Sequence, residues 1–435
     1  MSVRFPGVTR GLSGASPHQI RVATLPLTDE QALIATRPLR RTRLRTSGIL
    51  VAYIHNARVI LEDQELREGW VRFDSGTITG IGQGNSIPTE ESLDARNLYL
   101  APGFVDLHVH GGHGFDFLDA TAEEFAAAAT FHLSGGTTSL CPTAATATYE
   151  RFETVISRWQ QAQPLSRCRL LPLHLEGPHL APGKAGAQDP SLMRAPAKAD
   201  IEWILAHVSA ISQITVAPEL PGALDFIAAA SAAGIRMSAG HTEASGEEMQ
   251  KAVDAGLTKV THLFNAMSSA TKKGLFRQPG VLEYALAEDG VFCELVADGF
   301  HVLPTLTRMA YNAKGPDSIM LITDSLSGAG MPRGYEFRLG RLACKVGDGF
   351  GMLADGSALA GSVARTIDLV RHMTQTVGVT LPEAVRMASL TPARVLGREK
   401  MFGSIAQGKT ADLVLFDDEL RIHGVWVGGE RVLGG

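Results

Sequence analysis

The sequence predicts an α/β fold: a TIM-type (β/α)8 barrel with a small β-sandwich domain formed by both ends of the chain. Three observations lead there. The 435-residue chain exceeds a barrel alone, which often runs near 250 residues. Its middle alternates strand-like apolar runs with helix-like stretches, the pattern of βα units around a parallel sheet. Its flanks read instead as short strands separated by Asn, Asp and Gly.

Residues 1–46 stand apart. Positions 1–45 hold eight arginines, no lysine and two acids, Asp29 and Glu30, without apolar periodicity. They are read as a flexible Arg-rich extension with no assigned function. Residues 47–101 follow, with strand-like runs at 49–54, 57–61, 70–73 and 77–81. Runs at 411–416 and 424–427 repeat that texture within residues 403–435, so the two ends are expected to build one sandwich.

Residues 102–402 form the expected barrel. Its eight strands are assigned to residues 103–107, 137–141, 169–173, 213–217, 235–239, 259–261, 292–296 and 318–323. The sixth has the thinnest apolar content. Helical stretches between them include residues 122–133, 149–161, 200–211, 224–233, 246–255 and 303–313. Residues 325–362 read as Gly- and turn-rich, with helices expected over 363–377 and 382–390.

Composition narrows the function classes. Apolar residues make up 45% of the chain and charged ones 20%, which is ordinary for a soluble globular protein. A net charge of −5 offers no broad basic field for nucleic acid or membrane, and no apolar run reaches the roughly 18 residues of a span. Cys141, Cys168, Cys293 and Cys344 form no CxxC pair; reduced thiols in the cytoplasm account for them.

The histidines and acids carry the chemistry. His108 and His110 end the first expected strand, and strand alternation puts both imidazoles on one face. Glu176 closes the third strand, His241 the fifth, His262 the sixth and Asp324 the eighth. Active sites in this fold gather at the C-terminal strand ends, so these six side chains converge. The donors are nitrogen and oxygen only, which favours Zn²⁺ and is compatible with Fe²⁺, Mn²⁺ or Co²⁺. Four His and two carboxylates suffice for two ions with Glu176 bridging. They equally suit one ion with the remaining residues in support. His174, on the face of Glu176, is read as a buried supporting residue, and Cys141 as small apolar packing.

A bound metal acidifies water and polarises a carbonyl, and a neighbouring carboxylate moves the proton. Asp324, alone at the last strand end, suits that shuttle. Together these parts describe hydrolysis of an amide or related C–N bond.

The string Ala101-Pro102-Gly103-Phe104-Val105-Asp106-Leu107-His108-Val109-His110-Gly111 resembles the opening signature of the amidohydrolases. Ser389-Leu390-Thr391-Pro392-Ala393-Arg394, with Gly408-Lys409-Thr410-Ala411-Asp412-Leu413, is similar to their return into the sandwich. His174-Leu175-Glu176-Gly177-Pro178, Gly240-His241-Thr242 and Thr261-His262-Leu263-Phe264-Asn265-Ala266-Met267 narrow the resemblance to the N-acetylglucosamine-6-phosphate deacetylases. So do Asp298-Gly299-Phe300-His301, Ile322-Thr323-Asp324 and Leu359-Ala360-Gly361-Ser362.

That resemblance implies a principal metal at Glu176, His241 and His262, a second ion at His108 and His110 in some members, and Asp324 as general base and acid. It implies substrate contacts at Ala187, Gln188, Asn265, Ala266, His301, Leu359, Ala360 and Gly361. Arg277 matches a phosphate-binding arginine that members can supply across a homodimer interface; its planar fork suits phosphate.

Two places depart from the family pattern. Gln188 stands where a His is common, and the loop from Met267 to Arg277 looks longer, with Lys272 and Lys273 as further candidates for the phosphate. These leave room for another acetylamino sugar phosphate, such as N-acetylgalactosamine 6-phosphate, or another amide. A catalytically inactive binding barrel is disfavoured because all six candidate ligands are present.

Overall fold

The computed structural model describes residues 51–84 and 92–434. The Arg-rich extension and residues 47–50 lie outside the described residues.

Eight parallel strands make the barrel: Phe104–Val109, Thr137–Ala144, Leu173–Glu176, Ile211–Val216, Arg236–Ala239, Lys259–Val260, Phe292–Leu295 and Ile319–Leu321. Each pairs in parallel with the next around the ring. The third expected strand is broken. Arg169–Leu170 pairs with the second strand, and Pro172, with no N–H to donate, separates it from Leu173–Glu176.

The ring closes next to the candidate site. Asp324 N donates to His108 O at 2.9 Å, and His110 N donates to Ser325 O at 2.9 Å. Asp106 reinforces the seam by accepting from Thr323 N at 3.2 Å and Thr323 Oγ1 at 2.6 Å. Closure and site geometry therefore share the same backbone.

Helices follow the strands at Ala122–Phe131, Tyr149–Ala162, Lys198–Ala206, Ala223–Ala232, Gly246–Asp254, Val281–Ala287, Pro304–Lys314 and Thr366–His372. Local sequence sets where they start. Thr121 with Glu124, and Ser245 with Glu248, form reciprocal capping boxes that satisfy otherwise unpaired N–H groups. Phe125, Phe152 and Phe226 are fully buried in the main hydrophobic core. Burying a side chain of this kind contributes roughly 1.5–3 kcal/mol.

The stretch expected to be turn-rich holds more order than that. Residues 336–362 form a four-stranded antiparallel sheet, Glu336–Leu339, Leu342–Val346, Phe350–Leu353 and Leu359–Ser362. Its strands are four or five residues long and punctuated by glycine, which left little periodicity to read. The last strand returns to the barrel mouth, where Ser362 N donates to Asp324 O at 2.9 Å.

The two chain ends share one sheet. Leu413–Phe416 pairs antiparallel with Tyr99–Pro102, joining the C-terminal strands to Val51–Ile60, Glu65–Asp74 and Thr77–Gln83. The sheet folds over on itself: Ile78 N donates to Lys409 O at 2.8 Å, and Gly408 N to Ile78 O at 2.8 Å. Ile54, Val59, Val71, Phe73, Leu413 and Trp426 fill the enclosed core. This is the small sandwich expected from both termini, with the barrel inserted between them.

Candidate metal centre

All six candidate ligands meet at the C-terminal mouth of the barrel. Glu176 Oε1 lies 3.1 Å from both His241 Nε2 and His262 Nε2, and those two nitrogens are 3.1 Å apart. Its other oxygen, Oε2, is 3.2 Å from His110 Nε2. His108 Nε2 and His110 Nε2 are 3.2 Å apart, and Asp324 Oδ1 lies 3.5 and 3.4 Å from them. The donors form two overlapping sets, His108–His110–Glu176 and Glu176–His241–His262, that share the carboxylate.

The backbone is bent to make this happen. His241, His262 and Asp324 adopt φ of 48°, 33° and 49°, the left-handed region that non-glycine residues rarely enter. Such conformations cost of order 1–3 kcal/mol each and cluster at functional sites. Here they turn three side chains inward as their strands end.

The ring tautomers fit a metal. His241 Nδ1 donates to Lys184 O at 2.8 Å and His262 Nδ1 to Asn265 O at 3.2 Å. His108 Nδ1 donates to Glu294 Oε2 at 3.1 Å. Each of these rings then presents an Nε2 lone pair to the centre, an arrangement a cation stabilises.

The charges agree. Glu176 and Asp324 face the histidines, while the fully buried Glu294 is paired with the buried ammonium of Lys259, which donates to it. Burial alone would raise Glu176 and Asp324, yet His108 and its neighbours hold both below the usual carboxylate range. Burial would lower His108, but Glu176 and Asp324 hold it well above the usual imidazole range, the same preference for positive charge at Nε2 that a cation there would satisfy.

The expected substrate contacts sit on loops that leave the same mouth. Asn265 and Ala266 directly follow His262, and Asn265 Nδ2 donates back to Leu263 O at 3.3 Å. His301 Nδ1 donates to Asp298 Oδ2 at 2.7 Å; burial opposes its protonation, but Asp298 outweighs this and raises its pKa. Leu359, Ala360 and Gly361 lie on the strand that returns to Asp324. Ala187 is half-buried against a small apolar cluster around Leu326 and Phe337.

Gln188 is committed to the protein at both ends. Its Nε2 donates to Glu176 Oε2, and its Oε1 accepts from Thr146 N at 2.8 Å. Both ends of its amide are therefore used within the protein, one of them on Glu176. Arg277 lies apart, on an exposed hairpin of Thr271–Lys273 and Phe276–Gln278 in which Lys272 is opposite Arg277. Among the described residues no ion pair is formed by Arg277, Lys272 or Lys273. His174 is buried, its Nε2 2.8 Å from Thr215 Oγ1 and its Nδ1 3.3 Å from Thr143 Oγ1.

Sequence reasoning missed Glu294 and Lys259. The available signal was a charge inside each of two otherwise apolar strands, and it explains why the sixth strand looked thin.

The amidohydrolase family model matches residues 99–432. The N-acetylglucosamine-6-phosphate deacetylase of Lysinibacillus sphaericus is 34% identical over 362 residues, covering 82% of this chain and 91% of that one. The N-acetylgalactosamine-6-phosphate deacetylase of a Shewanella species is 34% identical over 394 residues, covering 88% and 96%. The solved structure of a variant N-acetyl-D-glucosamine-6-phosphate deacetylase from Mycobacterium smegmatis, in complex with N-acetyl-D-glucosamine-6-phosphate, superposes with a TM-score of 0.82. It is 33% identical and covers 88% of this chain and 99% of that one. The chain belongs to the amidohydrolase family and, within it, to the N-acetylglucosamine-6-phosphate deacetylases.

Proposed function

We propose that the protein hydrolyses the N-acetyl group of N-acetyl-D-glucosamine 6-phosphate to D-glucosamine 6-phosphate and acetate, in amino-sugar catabolism or recycling. The observation that carries this reading is the Glu176–His241–His262 set, three ligand atoms within 3.1 Å of one another at the strand ends. The family relationship supplies the substrate class.

Glu176, His241 and His262 would hold the principal ion, and His108 and His110 a second one that shares Glu176. Zinc suits these nitrogen and oxygen donors. Bound there, a divalent ion supplies Lewis-acid polarisation of the acetyl carbonyl and acidifies water. Asp324 then takes the proton from the attacking water and delivers it to the departing amine nitrogen. The bond broken is the amide C–N and the bond formed is C–O, so water is consumed and no other reactant is needed. His301, held by Asp298, keeps Nε2 free for the substrate. Asn265, Ala266, Ala187 and the Leu359–Ala360–Gly361 segment line the sugar, and Gln188 acts through Glu176.

Arg277 is assigned to the 6-phosphate, in a homodimer whose hairpin crosses to the second copy. Leu275 and Phe276, 86% and 71% exposed at its tip, suit burial in such an interface. The catalytic domain is taken as residues 102–402 and the supporting domain as 47–101 with 403–435. The four cysteines are buried free thiols, in keeping with a cytoplasmic enzyme.

The equal identity to an N-acetylgalactosamine-6-phosphate deacetylase favours one second reading, the C4 epimer as substrate. Acetate release is to be measured on both sugar phosphates and on free N-acetylglucosamine. Faster release from the gluco epimer, with the free sugar inert, is expected. Preference for the galacto epimer would replace the substrate, and inertness towards both would overturn the reading.

A further inference from the structure

Barrel interiors are ordinarily filled by branched apolar residues. Below this metal centre the interior instead carries a charged pair. Lys259, on the sixth strand, donates to Glu294 Oε1 on the seventh, and both side chains are fully buried. Glu294 Oε2 accepts from His108 Nδ1 at 3.1 Å and from His262 N at 3.4 Å. One oxygen serves the ammonium and the other serves the site.

A buried ion pair is weak evidence for stability, because desolvation offsets most of the attraction. Its geometry here serves something else. Among the described residues His110 Nδ1 has no hydrogen-bond partner, so none of them fixes that ring's tautomer from behind. His108 has one such partner, Glu294. An anionic acceptor at Nδ1 keeps the proton there and leaves the Nε2 lone pair facing the centre.

We propose that Glu294, anchored by Lys259, is a positioning residue that locks His108 in the Nδ1-protonated tautomer and so controls metal affinity at the His108–His110 half of the site. The inference rests on the metal reading above. Lys259 prevents Glu294 from becoming an unpaired buried charge, and it selects which oxygen faces His108.

Isosteric amides test this. In Glu294→Gln, Lys259 still demands an acceptor, so the amide oxygen turns to the ammonium and the NH2 faces His108. The ring must then accept at Nδ1 and carry its proton on Nε2. Adding Lys259→Met frees the amide to turn its oxygen back to His108. Zinc content per chain and zinc affinity, by chelator competition, are measured on the metal-depleted full-length protein, with melting temperature as the fold control. The expected result is zinc binding 10–100-fold weaker in Glu294→Gln, recovered to within a few-fold in Lys259→Met/Glu294→Gln. Lys259→Met/Glu294→Leu, which offers no acceptor, stays weak although folded.

Wild-type zinc affinity in Glu294→Gln, or in the folded Leu double variant, overturns the inference. So does a Gln double variant that binds no better than the single one. A wild-type chain that takes up no zinc instead defeats the metal reading on which it rests.

Discussion

Replacing Gln188 with alanine separates two roles for that residue, holding a metal ligand or touching the substrate. In the structure Nε2 donates to the Glu176 carboxylate and Oε1 accepts from Thr146 N, and the residue is 5% exposed. A hydrogen bond to a charged group contributes roughly 1.5–3 kcal/mol, and an abandoned buried N–H costs about 1–3 kcal/mol. The space vacated is polar on both sides, so an entering water recovers part of this. A net cost of about 2–4 kcal/mol is expected. The share that falls on Glu176 orientation should weaken zinc binding by about 10–100-fold. The assay is zinc affinity by chelator competition, alongside melting temperature, kcat and KM at saturating zinc. Weaker zinc binding and a lower melting temperature, with KM little changed, are expected. A KM raised tenfold or more with zinc affinity and melting temperature intact would instead place Gln188 against the substrate.

Asp324→Asn should retain zinc and lower kcat about 10²–10⁴-fold with little change in KM, the range for a lost general acid–base; unaltered kcat at full zinc occupancy would exclude it as the proton shuttle. Arg277→Ala should raise KM for the sugar phosphate while leaving zinc content and melting temperature unchanged, and mixed dimers of Arg277→Ala with Asp324→Asn subunits should regain activity if the arginine crosses the interface. Chelation should abolish acetate release and lower the melting temperature, with zinc restoring both. Burial pushes the fully buried Asp106 up to about 7 despite its bonds to Thr323. Because its folded pKa is raised above the unfolded value near 3.9, its contribution to stability declines as pH rises through that window and is constant above about 7. Stability of the metal-free protein relative to Asp106→Asn should therefore fall by about 2–3 kcal/mol between pH 5 and 8, read from urea unfolding; a difference independent of pH would count against a protonated Asp106.

Periodicity made the architecture legible. Apolar runs at strand length marked six barrel strands, because their outward faces pack against helices; the third run, 169–173, was broken at Pro172, and its barrel strand continues to Glu176. The sixth was faint because only Lys259–Val260 is strand there and its inward residue is a charge. The His–x–His pair and the other four strand-end residues were legible because strand alternation and the fold's polarity dictate where such side chains go. The sheet at residues 336–362 was not, since strands of four or five residues between glycines carry too few alternations.

Local spacing alone carries the βα repeat, the split sandwich and the six candidate donors. How those candidates divide into two sets depends on the closed barrel. Glu176 lies between two histidine pairs because its strand is third, His108 and His110 sit on the first, and His241 and His262 on the fifth and sixth. The partners of those donors are decided there too. Gln188 meets Glu176 from a loop 12 residues away, and Glu294 meets His108 across 186 residues. Those contacts depend on barrel closure, which brings distant strands within hydrogen-bonding distance and leaves no trace in local periodicity.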